Sequence, residues 1–373
     1  MFFKIKNVEN APYLILSFLN ILKQLFPHFF LQEYLDLSLL LILLVSFFIF
    51  FFTFFYEIKF EDFNCNNGIK PKTDNQKLGS KISKSYFLLY GSIFFKELYY
   101  ICIIILQKFN TLHLPSNKLF FLICLYQVFL SVMFMKIDHI DITKKKYFNT
   151  TKFDFLIIRC IVECLKTLSI VFSLSNIPYL SCRIIFYISP TFVTYIYLKL
   201  KMDSIKRTDK ICYILTFLVC IIFFIQYMKG TIYGVIASIF ISINILMQNK
   251  TCNDFHPYFI VFLSNVFGIF LSPIFINFYD SVLTIGYCEH ILCFLCCISG
   301  FFDFYNSHKY AKLGCLLERT FIYFISLFLS YLFSIIILDS NPSLIDIFTT
   351  LIIIPVSYYS KLRLESSENA DDL

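Results

Sequence analysis

Ten windows of about 20 mostly apolar residues, divided by short polar stretches, run from Ser85 to Ser360. Each is long enough to cross a bilayer as an α-helix. The pattern predicts a first set of helices at Ser85–Gln107, Leu119–Ile137, Phe153–Leu174, Tyr179–Leu198 and Ile211–Met228. A second set follows at Thr231–Gln248, Tyr258–Phe278, Ile291–Asn306, Leu313–Leu338 and Leu344–Ser360. Ahead of them lies another apolar run, Leu37–Tyr56, behind a mixed segment. It is too long for a signal-peptide core and lacks a small-residue cleavage site. It therefore reads as an extra N-terminal transmembrane signal anchor, with an organelle-targeting segment as the alternative. The polar stretch Glu57–Lys84, which gathers Asn66, Asn67, Gly68 and Pro71, reads as a flexible linker.

The two sets are related. A shift of 136 positions lays Leu180 on Leu316, Arg183 on Arg319, Tyr187 on Tyr323, Phe192 on Phe328, Tyr195 on Tyr331, Asp203 on Asp339 and Ser204 on Ser340. These are seven identities in 25 positions, and two of them are charged. Because each copy holds an odd number of helices, the second must be inverted in the membrane relative to the first. The expected organisation is an N-terminal extension over 1–84, a first five-helix repeat over 85–228, a second over 229–360, and a cytosolic tail over 361–373. The fold class expected is all-α and integral to the membrane, a ten-helix core of two inverted five-helix repeats.

Charge placement supports this map. The stretches 57–84, 138–152, 199–210, 250–256, 308–312 and 361–373 hold 20 Lys and Arg, and the alternating loops hold 3. The positive-inside rule makes the first group, and the C terminus, cytosolic. Both sequons, Asn149-Thr150-Thr151 and Asn249-Lys250-Thr251, then face the cytosol and should stay unmodified. The net charge of +7 reports topology and no nucleic-acid partner. With 58% hydrophobic and 15% charged residues and a mean hydropathy of +0.73, a soluble globular class is excluded. Ala appears four times and Gly nine, so Ser and Cys must supply many of the small contacts that bring helices together in lipid. The cysteines lie mostly in apolar runs. The C-x-x-C pair Cys293 and Cys296 reads as packing, not as a metal or redox motif.

Ionisable groups inside apolar helices cost about 2.5–3.5 kcal/mol each on insertion scales, so they are functional candidates by default. The first helix offers Lys96 and Glu97, and the third offers Arg159, Glu163 and Lys166 on one face at i, i+4, i+7. On the fourth, Arg183, Tyr187, Pro190 and Thr194 share a face, matched on the ninth by Arg319, Tyr323, Ser326 and Ser330. Asp303 stands late in the eighth. The candidate substrate-binding set is therefore Lys96, Glu97, Arg159, Glu163, Lys166, Arg183, Tyr187, Asp303, Arg319 and Tyr323. Plainer readings stand beside it. Arg159 and Glu163 can neutralise one another, Lys96 can pair with a carboxylate on another helix, and Asp303 can be solvated near the cytosol. Asp203 and Asp339 read as helix-boundary or cap residues.

Phe155–Gln226, with an Arg early in the third helix (Arg159), Ser189-Pro190 within the fourth and an acidic residue after it, resembles the drug/metabolite transporter superfamily with EamA-type repeats. TIYGVIASIFISINILMQNK at 231–250 looks like that family's sixth helix, and IIILDSNPS at 335–343 like the end of its ninth. Two departures stand out: the usual Glu after helices four and nine is Asp203 and Asp339, and the usual Ala and Gly content is missing. The resemblance implies two oppositely oriented five-helix units around a central cavity and transport of small metabolites by alternating access. Plastid phosphate translocators, relatives within the superfamily, use cationic residues in a central phosphate site, and Lys96, Arg183 and Arg319 would form a comparable cluster. Arg183→Gln or Arg319→Gln is then expected to abolish anion transport without harming folding.

The function expected is a secondary transporter or exchanger of a small organic metabolite, with an organic or phosphorylated anion favoured as substrate. A non-transporting scaffold or receptor derived from a transporter is the alternative, ahead of a multi-pass membrane enzyme. No enzymatic activity, cofactor or metal is expected. The partners are the bilayer and a small-molecule substrate, with a homodimer left open.

Overall fold

The computed structural model describes residues 74–108, 114–140, 153–200, 205–251, 254–274, 286–311 and 318–368. Side chains are described there except at 74–87, 249–250, 318–324 and a few positions near helix ends. The run Leu37–Tyr56 and Asp203 lie outside the described residues. The chain divides into two units, Met1–Lys81 and Ile82–Leu373, and the described side chains belong to the second.

Every regular element among the described residues is helical. They are α1 (Asp74–Lys108), α2 (Ser116–Ile137), α3 (Phe153–Asn176), α4 (Tyr179–Phe186), α5 (Ser189–Leu200), α6 (Arg207–Gln226), α7 (Met228–Thr251), α8 (Pro257–Leu271), α9 (Tyr287–Ala311), α10 (Glu318–Ile336) and α11 (Leu344–Glu368). Each expected helix overlaps a described one, though α8 stops at Leu271 short of the expected Phe278 and α11 runs past Ser360 to Glu368, and two differences are larger. The first begins at Asp74 instead of Ser85, inside the stretch that polarity reads as a flexible linker. The fourth, expected unbroken over Tyr179–Leu198, is two helices, α4 and α5.

Proline explains that break. Pro190 has no N–H to give to the carbonyl one turn back, and its ring disfavours helical geometry just before it. Neighbouring helices supply hydroxyls to the carbonyls around the gap. Ser238 of α7 donates to the Ile185 carbonyl at 2.8 Å and Ser242, one turn on, to that of Ser189 at 2.9 Å. Ser357 of α11 donates to the Tyr187 carbonyl at 3.1 Å. A broken backbone is tolerable at membrane depth only where protein satisfies its polar groups in this way.

Among the described residues, six helices are long and apolar enough to cross a membrane: α1 from Leu88, α2, α6, α7 to Gln248, α9 from Glu289, and α11 to Leu364. The apolar stretch of α1 is 72% buried and that of α6 only 28%, so α1 is interior and α6 peripheral. The outer face of α6 shows Ile211, Ile214, Phe217, Leu218, Ile221, Phe224 and Ile225 at helical spacing. Meanwhile Glu97, Arg159 and Arg183 are at most 1% exposed. Apolar groups outside and charges inside suit lipid as the surrounding solvent, and the structure fits an all-α multi-pass membrane protein.

Packing interleaves the two halves of the sequence. The helix α3 lies along α7, α2 packs on α8 and α9, α4 and α5 lean on α7, and α11 covers α5 and α6. Small groups make these approaches possible. A Cβ on Gly268 would sit 2.4 Å from Cys124 Sγ, and one on Gly230 would sit 2.3 Å from Ile177 Cγ1. Cysteine thiols bridge helices as the composition suggests. Cys160 donates to the Ile260 carbonyl, Cys296 to that of Tyr99 and Cys297 to that of Ile123, each at 3.7 Å. The helix ends are capped locally. Ser343 and Asp346 form a reciprocal capping box at the start of α11. Asp339 closes α10 with φ 45°, a left-handed turn that aspartate tolerates. That is the boundary role expected for it.

Candidate functional site

Among the described residues, two buried polar constellations gather most of the candidate residues, and α1 contributes to each. The first is built on Glu97, whose side chain has no solvent exposure. Arg183 of α4 pairs with it through Nη2 to Oε1 and through Nε to Oε2, the latter at 3.2 Å. Tyr179 and Ser326 also donate to this carboxylate, and Ser330 donates to Oε2 at 2.9 Å. With five donated hydrogen bonds, the acceptor sites of Glu97 are filled. The guanidinium lies over the Tyr100 ring at 4.5 Å and near the Tyr187 ring at 5.3 Å. Its Nη2 reaches the Ser326 hydroxyl at 2.9 Å and the Tyr187 hydroxyl at 3.5 Å. The two faces related by the 136-residue shift thus meet, since Arg183 and Tyr187 come from one and Ser326 and Ser330 from the other.

The second constellation lines a cavity of about 120 Å³. Lys96 comes from α1, Lys166 from α3, Asn244 from α7 and Asp303 from α9. An adjoining pocket of about 50 Å³ shares Tyr100, Lys166, Asp303 and Phe304 with it and adds Glu163. Glu163 pairs with Lys166 one turn along α3 and accepts from Asn244 Nδ2 at 2.7 Å. Ser92 donates to Asp303 Oδ1 at 2.6 Å, so Asp303 belongs to the cavity wall and not to a solvated helix end.

Arg159 stands apart from both. It is fully buried, donates to Thr251 of α7, reaches His308 Nδ1 of α9 at 3.4 Å and lies 5.5 Å from the Phe304 ring. It thereby ties α3, α7 and α9 together.

Of the ten candidates, Lys96, Glu163, Lys166 and Asp303 come together at the cavities. Glu97, Arg183 and Tyr187 form the neighbouring ionic core, and Arg159 is a separate tie. The side chains of Arg319 and Tyr323 lie outside the described ones. Sequence reasoning missed Asn244 and Tyr179. Asn244 had a signal, as an amide two positions beyond Ser242 in an otherwise apolar helix. Tyr179 had none, being one tyrosine among 25.

Among the described residues the fold and site define an all-α protein with helices long and apolar enough to cross a membrane and pockets lined by ionisable side chains between them. A solved structure described only as "Crystal structure of protein" superposes with a TM-score of 0.50 at 11% identity, covering 75% of this chain and 97% of that one. At that identity the likeness concerns the fold alone. No protein-family model and no curated protein matches the chain.

Proposed function

We propose that the chain is a secondary transporter or exchanger of a small organic solute, working by alternating access between two inverted five-helix repeats. The observation that carries this reading is the cavity itself. Four ionisable side chains from three helices line two adjoining pockets inside a bundle whose outer surface is apolar. Charges in such an interior are costly, and those lining a cavity are candidates for a solute or ion path by default. The repeat supports the same reading, because inverted repeats place a substrate site at the interface of their halves, with broken helices beside it. The α4–α5 break and the meeting of the α4 and α10 faces accord with that plan. So does the resemblance to the drug/metabolite transporter superfamily in Arg159, Ser189-Pro190 and the duplicated stretch.

The size of the cavity limits the solute. An engineered cavity of about 150 Å³ admits benzene, so about 120 Å³ suits a solute of about six heavy atoms in this conformation. The test is counterflow. Full-length protein in liposomes preloaded with small carboxylates, phosphates, amines, amino acids or neutral polyols should show saturable exchange of at least one class. Exchange of none, by protein that melts cooperatively, would sink the proposal.

A further inference from the structure

Resting on that reading, we propose that the pocket of about 50 Å³, where α2, α8 and α9 meet α3, recognises a carboxamide through the side-chain amides of Gln127 and Asn265.

Both amides have polar groups to spare. Gln127 of α2 is 9% exposed, and neither its Nε2 nor its Oε1 has a hydrogen-bond partner among the described residues. Asn265 of α8 is 6% exposed, and its Nδ2 donates to the Val261 carbonyl at 2.7 Å. A carbonyl only accepts, so the amide orientation is fixed. Oδ1 is the atom left over, again without a partner among the described residues. In neither residue is the idle atom sealed off by protein, and both side chains line the pocket. Buried amides are normally hydrogen-bonded, so two of them idle at one pocket point to a ligand or to ordered water.

Position favours a solute. Gln127, Asn265 and Gly300 each stand near the midpoint of a helix, the depth at which transporters built on inverted repeats bind. Gly300 keeps the pocket open, since a Cβ there would lie 2.8 Å from Gln127 Nε2 and 2.9 Å from the Tyr99 ring. Lys166 and Glu163 on the same wall already pair with one another, and Glu163 also accepts from Asn244.

The inventory then selects the group. The two amides present donors on Gln127 Nε2 and acceptors on Gln127 Oε1 and Asn265 Oδ1. A carboxamide answers all three, its NH2 going to the two oxygens and its carbonyl to Nε2. An ammonium satisfies only the oxygens, a carboxylate only Nε2, and a lone hydroxyl has one hydrogen for two acceptors. A charged group would also add an uncompensated charge to a low-dielectric interior. A volume of about 50 Å³ has room for about three heavy atoms, the size of that group. The rest of the solute extends toward the adjoining cavity of about 120 Å³, which shares Tyr100, Lys166, Asp303 and Phe304 with it. The anionic solute expected from the sequence draws on Arg183, whose guanidinium is engaged by Glu97.

The probes are malonamide, malonate, 1,3-diaminopropane and glycerol, three-carbon solutes that differ in their polar groups. With the full-length protein in detergent, malonamide should raise the Tm at concentrations at least about tenfold below those of the other three, the scale of one unmet polar group. Gln127→Leu and Asn265→Leu should each raise the half-saturating malonamide concentration at least about tenfold. Because the Gln127 side chain makes no hydrogen bond among the described residues, Gln127→Leu should leave the unliganded Tm unchanged or higher. A structural role for that amide would lower it. In proteoliposomes malonamide should show saturable counterflow, weakened in both variants. A Tm shift as large with malonate, diaminopropane or glycerol overturns the carboxamide, and no shift with malonamide means a pocket that holds water only. An unchanged response in both variants removes the two amides from the site. In all three cases the transporter reading is decided separately, by the counterflow panel. A Tm shift with malonamide and no exchange of any solute keeps the site and removes transport. Should both variants fail to fold, the ranking of the probes on the wild-type protein decides.

Discussion

Glu97 and Arg183 form an ion pair sealed from solvent, and both partners also hydrogen-bond to Ser326 and Ser330 of α10. Three helices far apart in sequence thus share one charge-neutral knot. Removing one member leaves the other as an uncompensated buried charge, which costs about 3–5 kcal/mol. Glu97→Gln and Arg183→Gln should each lower Tm sharply in detergent, with a smaller loss in the double variant. This revises the sequence-based expectation that Arg183→Gln spares folding.

The serines of α10 are donors to a charged acceptor, so Ser326→Ala and Ser330→Ala should each cost about 1.5–3 kcal/mol. In a Glu97→Gln background the same substitutions should cost less, because the acceptor is then neutral. A double-mutant cycle read by thermal melting measures the difference. Additive losses would mean that the serines act only by filling space.

The contact between α2 and α8 depends on the missing side chain at Gly268. Gly268→Ala drives a methyl into Cys124 Sγ and should cost about 1–3 kcal/mol by overpacking. Adding Cys124→Ala removes the obstructing sulfur and should restore much of the loss. Melting curves of the two variants check this, and no rescue would mean that the helices separate instead.

At the α4–α5 break, Ser238→Ala and Ser242→Ala each remove a hydroxyl donor from a buried carbonyl, that of Ile185 or Ser189, for a loss of about 1 kcal/mol apiece. Both hydroxyls also lie near carbonyls of their own helix, which holds the figure at the low end. Stability of the pair of variants, singly and together, is the readout. A stabilising effect would contradict the capping role.

Topology offers a separate check. If the basic loops lie on the cytosolic side, as the positive-inside rule predicts, glycosidase treatment should leave the mobility of the expressed chain unchanged, because Asn149 and Asn249 would then be beyond reach of glycosylation. A shift in mobility would reverse the orientation of at least one loop.

Much of this architecture is legible in the sequence because lipid imposes a simple rule on it. Apolar stretches of bilayer length, bounded by polar loops, locate each described helix, but not its ends: α1 starts early at Asp74, α8 stops at Leu271 and α11 runs on to Glu368. The division of the fourth helix was not read, although Ser189-Pro190 was singled out. A proline bends some membrane helices and breaks others, and the serines that stabilise the break belong to α7 and α11. The site was legible as a list of charges but not as pairings. Spacing along α3 put Arg159 beside Glu163, yet Arg159 reaches α7 and α9 while Glu163 takes Lys166 and Asn244. Which neighbour a side chain meets depends on helix rotation, and local periodicity does not carry that information.

The knot at Glu97 also bears on how the protein is made. Arg183 lies 86 residues downstream of Glu97, and Ser326 lies 229 downstream. When α1 enters the membrane during synthesis, its carboxylate has none of these partners, and a lone charge at a helix centre opposes insertion by about 2.5–3.5 kcal/mol. The first described helix is therefore expected to integrate less readily alone than with its later partners. Nascent chains truncated after α1 should integrate less efficiently than the same chains carrying Glu97→Gln. The charge that stabilises the finished bundle makes its first helix dependent on its tenth.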